Sequence, residues 1–289
     1  MLRFNNKNKL ACAILSILAI SSCGGGGGGK DTSPPSRVKG VISGNVFDAP
    51  VSGATVSVYE YQNGKVGRLL GQTSTNPVGD YLVKIDASTM PLMIKAEGGA
   101  YRDPLTKNIV SLSEGKIISM SSVINYTEGT DQTVMVTPLT YQVAGLAEYN
   151  IGQGLDATAS VDNAISMFIS MYGFNVNTTK PIDITTGGQS SFASAGHQYG
   201  ALLTAYSSYS YDFIKQYPGS DSELTYTSMN LSDIGYRDIS ADGKLDGREL
   251  DSSGLLKDMA FGQSYVTSDL YTQSMAQHVL IVVSDPDLN

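Results

Sequence analysis

Asp238, Ser240, Asp242 and Asp246 occupy positions one, three, five and nine of a twelve-residue run that closes on Glu249. Gly243 stands at position six and Leu245 at eight, while Lys244, at seven, can offer its backbone carbonyl. A hard cation such as Ca2+ wants several oxygens converging from a short segment, a sharp turn in the middle and a bidentate carboxylate at the end. The spacing supplies each, so residues 238–249 predict a structural calcium site built from Asp238, Ser240, Asp242, Lys244, Asp246 and Glu249. The same run also reads as two Asp-Gly turns on an acidic surface that holds no metal. Residues 231–237 contain Gly235 and make a poor helix leading in, and Ser252-Ser253-Gly254 interrupts one leading out.

Other reactive groups do not gather into a pattern. His197 and His278, the only histidines, fall on different expected helices, which leaves zinc without a ligand set. Ser190, Ser191 and Ser194 precede His197, but no Gly-x-Ser-x-Gly elbow presents a nucleophile. No carboxylate pair stands out for glycoside chemistry. Tyr199, Tyr206, Tyr209, Tyr211 and Tyr217 could form a platform for sugar or peptide. Helical spacing instead puts Tyr199 and Tyr206 beside Leu202 and Leu203 in a core, and Tyr211 is the surface candidate.

Cys23 carries a different chemistry. Arg3, Lys7 and Lys9 form a basic start, residues 10–20 are apolar apart from Ser16, and small residues lead to Cys23. An apolar run of this length spans about 16 Å as a helix, against a hydrocarbon core of about 30 Å, so it is an export signal rather than a membrane span. Ile20-Ser21-Ser22-Cys23 resembles the lipobox of bacterial lipoproteins. The resemblance implies cleavage before Cys23, a diacylglyceryl group on its thiol and acylation of the new amine. Gly24 in place of Asp leans toward outer-membrane sorting in a Gram-negative host. The other cysteine, Cys12, leaves with the signal, so no disulfide is expected. Gly24 to Gly29 form a flexible linker rather than a phosphate loop, since no Lys-Ser/Thr and helix follow. The formal charge is -8, and losing three basic residues with the signal leaves the mature chain more acidic still. Such a chain is a poor binder of nucleic acid.

After the linker the period is that of short strands. Residues 38–46, 54–61, 69–74, 81–85 and 92–96 read as strands, separated by turns at 49–53, Asn63-Gly64 and 76–80. Gly44-Asn45-Val46, Pro50-Val51-Ser52-Gly53-Ala54-Thr55-Val56, Thr75 to Tyr81 and Ile94-Lys95-Ala96 resemble the carboxypeptidase regulatory-like (transthyretin-like) β-sandwich over residues 38–125. That family acts as a stalk, regulator or binding module, and the resemblance transfers no catalytic residue. From residue 132 the period becomes helical. Thr137-Pro138 is a helix start, Ser160 begins a second helix closed by Gly173, residues 190–217 a third, and residues 268–283 a last one. Residues 238–249 resemble the EF-hand loop and its extracellular relatives, and the whole order resembles uncharacterised bacterial envelope lipoproteins.

The expected protein is thus multidomain β + α, with an N-terminal antiparallel β-sandwich followed by a mainly α-helical domain. Its parts are a signal peptide (1–22), a lipidated linker (23–37), the sandwich (38–125) and a helical domain (132–289). Its expected role is a lipid-anchored, calcium-stabilised envelope module for binding, adhesion or scaffolding, with the membrane and a protein or glycan as partners. The alternative is an envelope enzyme acting on polysaccharide or peptide from a site in the helical domain.

Overall fold

Strand β1 (Gly40–Asn45) lies between β4 (Asp80–Ile85), antiparallel to it, and the short β9 (Gln132–Thr133), parallel to it. A second, fully antiparallel sheet runs in the order β3 (Lys65–Ser74), β2 (Thr55–Gln62), β5 (Leu92–Glu97), β8 (Met120–Ile124). A separate hairpin pairs β6 (Ala100–Arg102) with β7 (Ile109–Ser111). The computed structural model describes residues 40–112, 119–186, 194–216, 228–261, 264–268 and 273–284.

Alternation writes these strands. In β4, Tyr81, Val83 and Ile85 face inward while Leu82 and Lys84 face out; in β5, Leu92, Ile94 and Ala96 are the buried set. They meet Ile42, Val56, Val58, Met120 and Ile124 in one cluster, so the two sheets share a core. The connections are pinned by side chains. Thr75 Oγ1 donates to Val51 O (2.7 Å) and accepts from Ala54 N (2.9 Å). Asn45 Nδ2 donates to Val78 O (2.9 Å) and Asp80 Oδ1 (2.7 Å), while Asn76 Oδ1 accepts from the amides of Val78 and Asp80. The Tyr81 hydroxyl donates to Val134 O at 2.7 Å, passing close to Gly44, where a Cβ would collide with that same carbonyl.

Helices dominate thereafter: α1 (Pro138–Gly152), α2 (Ala157–Tyr172), α3 (Ala195–Gln216), α4 (Ser228–Asp242) and α5 (Gln273–Ser284). Between the last two lie the hairpins β10 (Arg248–Leu250) with β11 (Leu256–Asp258) and β12 (Ala260–Phe261) with β13 (Ser264–Tyr265). The chain is therefore mixed, built of both sheets and helices. α1 starts at the expected Thr137-Pro138. α2 starts ahead of Ser160 because Asp156 caps it, accepting from Ala159 N.

Helix α4 departs from expectation, and its reason is packing. Gly235 lowers helix propensity in isolation, yet it sits against Gln142 of α1, where a Cβ would overlap the amide of that side chain. Gly145 answers from α1, its missing Cβ lying 3.0 Å from Ile239 and Tyr236 of α4. Gln142 cannot swing aside, because it is fully buried and donates to the Tyr206 hydroxyl at 2.9 Å. Tyr141 and Tyr236 stack beside this contact at 4.3 Å.

The strands and helices do not keep to separate cores across residues 125–132. Tyr61 and Val123 belong to the same buried cluster as Leu139, Val143 and Phe168. A leucine at Gly235 should cost about 1–3 kcal/mol by overpacking, and Gly235→Ala should lack the gain of about 1 kcal/mol that the swap gives in an open helix. Chemical denaturation of the two variants measures both.

Candidate functional site

The acidic segment 238–249 is a helix end and a turn rather than one continuous loop. Helix α4 runs through Asp238, Ser240 and Asp242, so the first five positions of the expected loop are helical. The fully buried Asp238 points its carboxylate at the backbone beyond the turn. It accepts from Gly247 N (2.9 Å to Oδ2), Arg248 N (3.0 Å) and, more weakly, Asp246 N (3.4 Å). Glu249, on β10, forms ion pairs with Arg237 and Lys257. Asp242 Oδ1 accepts from Lys244 N at 3.0 Å, and Ser240 Oγ donates back to Arg237 O. The predicted ligands thus share a neighbourhood, but the contacts of Asp238, Ser240, Asp242 and Glu249 point to protein donors, acceptors and cations. Among the described residues no group of three or more His, Cys, Asp or Glu is arranged to hold a metal. The spacing expectation gave the Asp238 carboxylate to a cation; in this structure the same carboxylate receives the backbone amides of residues 246–248.

Two members of the tyrosine run are core, as their spacing implied, and Tyr217 lies outside the described residues. Tyr199 and Tyr206 are buried, and Tyr211 is 42% exposed. Burial pushes the Tyr206 phenol up to about 12, despite its bond from Gln142, and raises Tyr199 further. His278 is buried, 3.0 Å from Ser208 Oγ, with Tyr209 edge-on to its ring. Ser194 Oγ lies 2.6 Å from His197 Nδ1 and also accepts from the His197 backbone amide. That is a helix cap at the start of α3, with the imidazole folded back on it.

Two adjoining open clefts, of about 600 and 480 Å³, share Pro50 and Asp183. The β6–β7 hairpin contributes Tyr101, Arg102 and Lys107 to the larger, opposite Thr185 and Thr186. Asp183 accepts from the amide and hydroxyl of Thr185, and Arg102 donates to Lys107 O. These charges are therefore engaged locally, and sequence patterns gave no sign of the clefts, because their walls come from segments far apart in the chain. Cys23 and its flanks lie outside the described residues. No helix among those residues is long and apolar enough to cross a membrane.

No family model matches the chain, and no curated protein matches it. Among solved structures, a 9R-lipoxygenase from Cyanothece PCC8801 is 13% identical over 47% of this chain and 26% of its own, with a TM-score of 0.24. An (S)-allantoin synthase is 14% identical over 36% of this chain and 42% of its own, with a TM-score of 0.23. The chain thus spans less than half of either structure, and likeness at this level carries no argument about fold or activity.

Two outcomes follow from this geometry. Asp238→Ala strands two or three backbone amides and should cost about 2–4 kcal/mol, as read by calorimetry. An unfolded tyrosine titrates near 10; above that pH the unfolded chain binds fewer protons than the folded one, so stability falls as pH rises. The buried tyrosines should therefore ionise only together with loss of helical circular dichroism, as followed by tyrosinate absorbance.

Proposed function

We propose that this chain is a bacterial envelope lipoprotein: exported, cut before Cys23, acylated there, and displayed from the membrane as a non-catalytic binding or scaffolding module. The observation that carries the reading is Ile20-Ser21-Ser22-Cys23, set between an apolar signal segment and six glycines. Two or three acyl chains, at about 0.8 kcal/mol per buried CH₂, hold a protein firmly on a bilayer. In a Gram-negative host the membrane is the outer one. The linker that follows Cys23, up to residue 37, then acts as a leash that keeps the folded part clear of the headgroups.

We read the two sheets as a β-sandwich of the carboxypeptidase regulatory-like kind, followed by a helical region. Support comes from the residues of that resemblance, which are the ones that pin the turns: Asn45, Val51, Ala54, Thr75 and Tyr81. Such a module contributes recognition or spacing, and its partner is a protein or glycan of the envelope rather than nucleic acid.

Metabolic labelling with a palmitate analogue should tag the natural chain, and Cys23→Ala should both abolish the label and move the protein out of the membrane fraction. A variant that stays membrane-bound would sink the anchor.

A further inference from the structure

Tyr141 of α1 and Tyr236 of α4 lie face to face, their ring centroids 4.3 Å apart and their planes 10° from parallel. Other aromatic neighbours, such as Tyr172 with Phe174 and Phe174 with Tyr199, meet at tilted angles and set a phenol against a plain ring. The stack is also open to small molecules: Tyr141 and Tyr236 are half-buried, whereas Tyr199 and Tyr206 are sealed in the core. The Tyr236 hydroxyl donates to Glu148 Oε2, and Glu148 is exposed two turns along α1 from Tyr141. Burial, with the charges of Asp233 and Glu148, raises the Tyr141 phenol to about 12; burial, with the bond to Glu148, raises Tyr236 further. Both rings are therefore protonated at neutral pH, and an electron leaves either one readily only if a proton leaves as well. Glu148 is placed to take the proton of Tyr236, and the half-exposed Tyr141 releases its own to water.

A phenoxyl radical keeps its unpaired electron in p orbitals perpendicular to the ring, spread over the oxygen and the ortho and para carbons. Two such radicals couple most directly face to face, which is the arrangement the stack already holds. The close approach of α1 and α4 over Gly145 and Gly235 fixes the rings in this contact before any oxidation. The new C–C bond forms between the carbons ortho to the two hydroxyls. Each of those carbons then passes its hydrogen, as a proton, to its own oxygen, which restores both the aromatic ring and the hydroxyl. In all, two electrons and two protons leave, so the product is two hydrogens lighter. The oxidant is a peroxide acting through a one-electron carrier, and its O–O bond takes both electrons. A link here ties two helices distant in sequence, as a disulfide would, in a chain with no cysteine after Cys23.

We infer that Tyr141 and Tyr236 are a site of intramolecular dityrosine formation, at which a peroxide-fed one-electron oxidant couples the two rings and Glu148 takes the Tyr236 proton. The site goes beyond the anchoring function and does not depend on it. The full-length chain, dilute in detergent, is illuminated with tris(bipyridine)ruthenium(II) and persulfate. Dityrosine fluorescence should appear in the monomer band, and a protease digest should contain the Tyr141 and Tyr236 peptides joined, two hydrogens lighter than their sum. Tyr141→Phe and Tyr236→Phe, which keep both rings of the stack, should each remove the joined peptide. Glu148→Gln, an exposed change that removes the base, should slow its formation at least about tenfold. In urea, where α1 and α4 separate, the natural chain should not form it. The proposal is overturned if the folded natural chain yields no joined peptide, or if other tyrosines join in its place. Equal formation in urea, or an unchanged rate in Glu148→Gln, overturns it as well.

Discussion

The amino end of α1 is buried, and its free amides have no water to turn to. Thr137 and Thr140 solve this reciprocally: Thr137 Oγ1 accepts from Thr140 N at 3.2 Å, and Thr140 Oγ1 accepts from Thr137 N at 2.9 Å. Both hydroxyls are used a second time. Thr137 Oγ1 bonds the Tyr199 hydroxyl of α3 at 2.5 Å, and Thr140 Oγ1 donates to Ser121 O of β8 at 3.0 Å. Just upstream, Val134 N and Val136 N donate to Ser43 O and Asn45 O, and Met135 N to Asn177 O. Strand β1, strand β8 and helices α1 and α3 are therefore registered against one another through residues 134–140. In a dry interior such bonds are worth more than at the surface, and a missing partner is correspondingly expensive.

From that joint the rest of the packing follows. α1, fixed at its start, presents Gln142 and Gly145 to α4, and the two glycines let the helices approach. α4 is then held at its far end by Asp238, whose carboxylate gathers the amides that open β10. One carboxylate thus does for the turn what a bound cation would do in a metal loop: it draws the backbone of the turn toward a single charge, here through N–H groups rather than carbonyls.

Local patterns were legible where one residue decides one element. The Thr137-Pro138 start, the Asn63-Gly64 hairpin turn, where both residues take positive φ, and the inward tyrosines of α3 were all readable, because capping, turn chemistry and periodicity act within a few positions. What escaped depends on contacts distant in sequence. Gly235 reads as a helix breaker until Gln142, on another helix, is known to sit against it. The spacing of Asp238 to Glu249 does not show that α4 runs on to Asp242, because the contacts that hold α4 come from α1. The two clefts that share Pro50 and Asp183 join residues from 45 to 186 whose side chains look ordinary one at a time.

Strand β1 has one more consequence, and it is mechanical. It is the first described strand of the chain, and it is the middle strand of its sheet, zipped to β4 on one side and to β9 on the other. A load applied through the preceding residues enters the fold at Gly40, where it meets the β4 ladder at once and the β9 ladder from Ile42, rather than one free edge. The parallel partner β9 leads within a few residues to the Thr137 cap. Tension arriving at the amino end is therefore passed to the helices before any single strand can peel away.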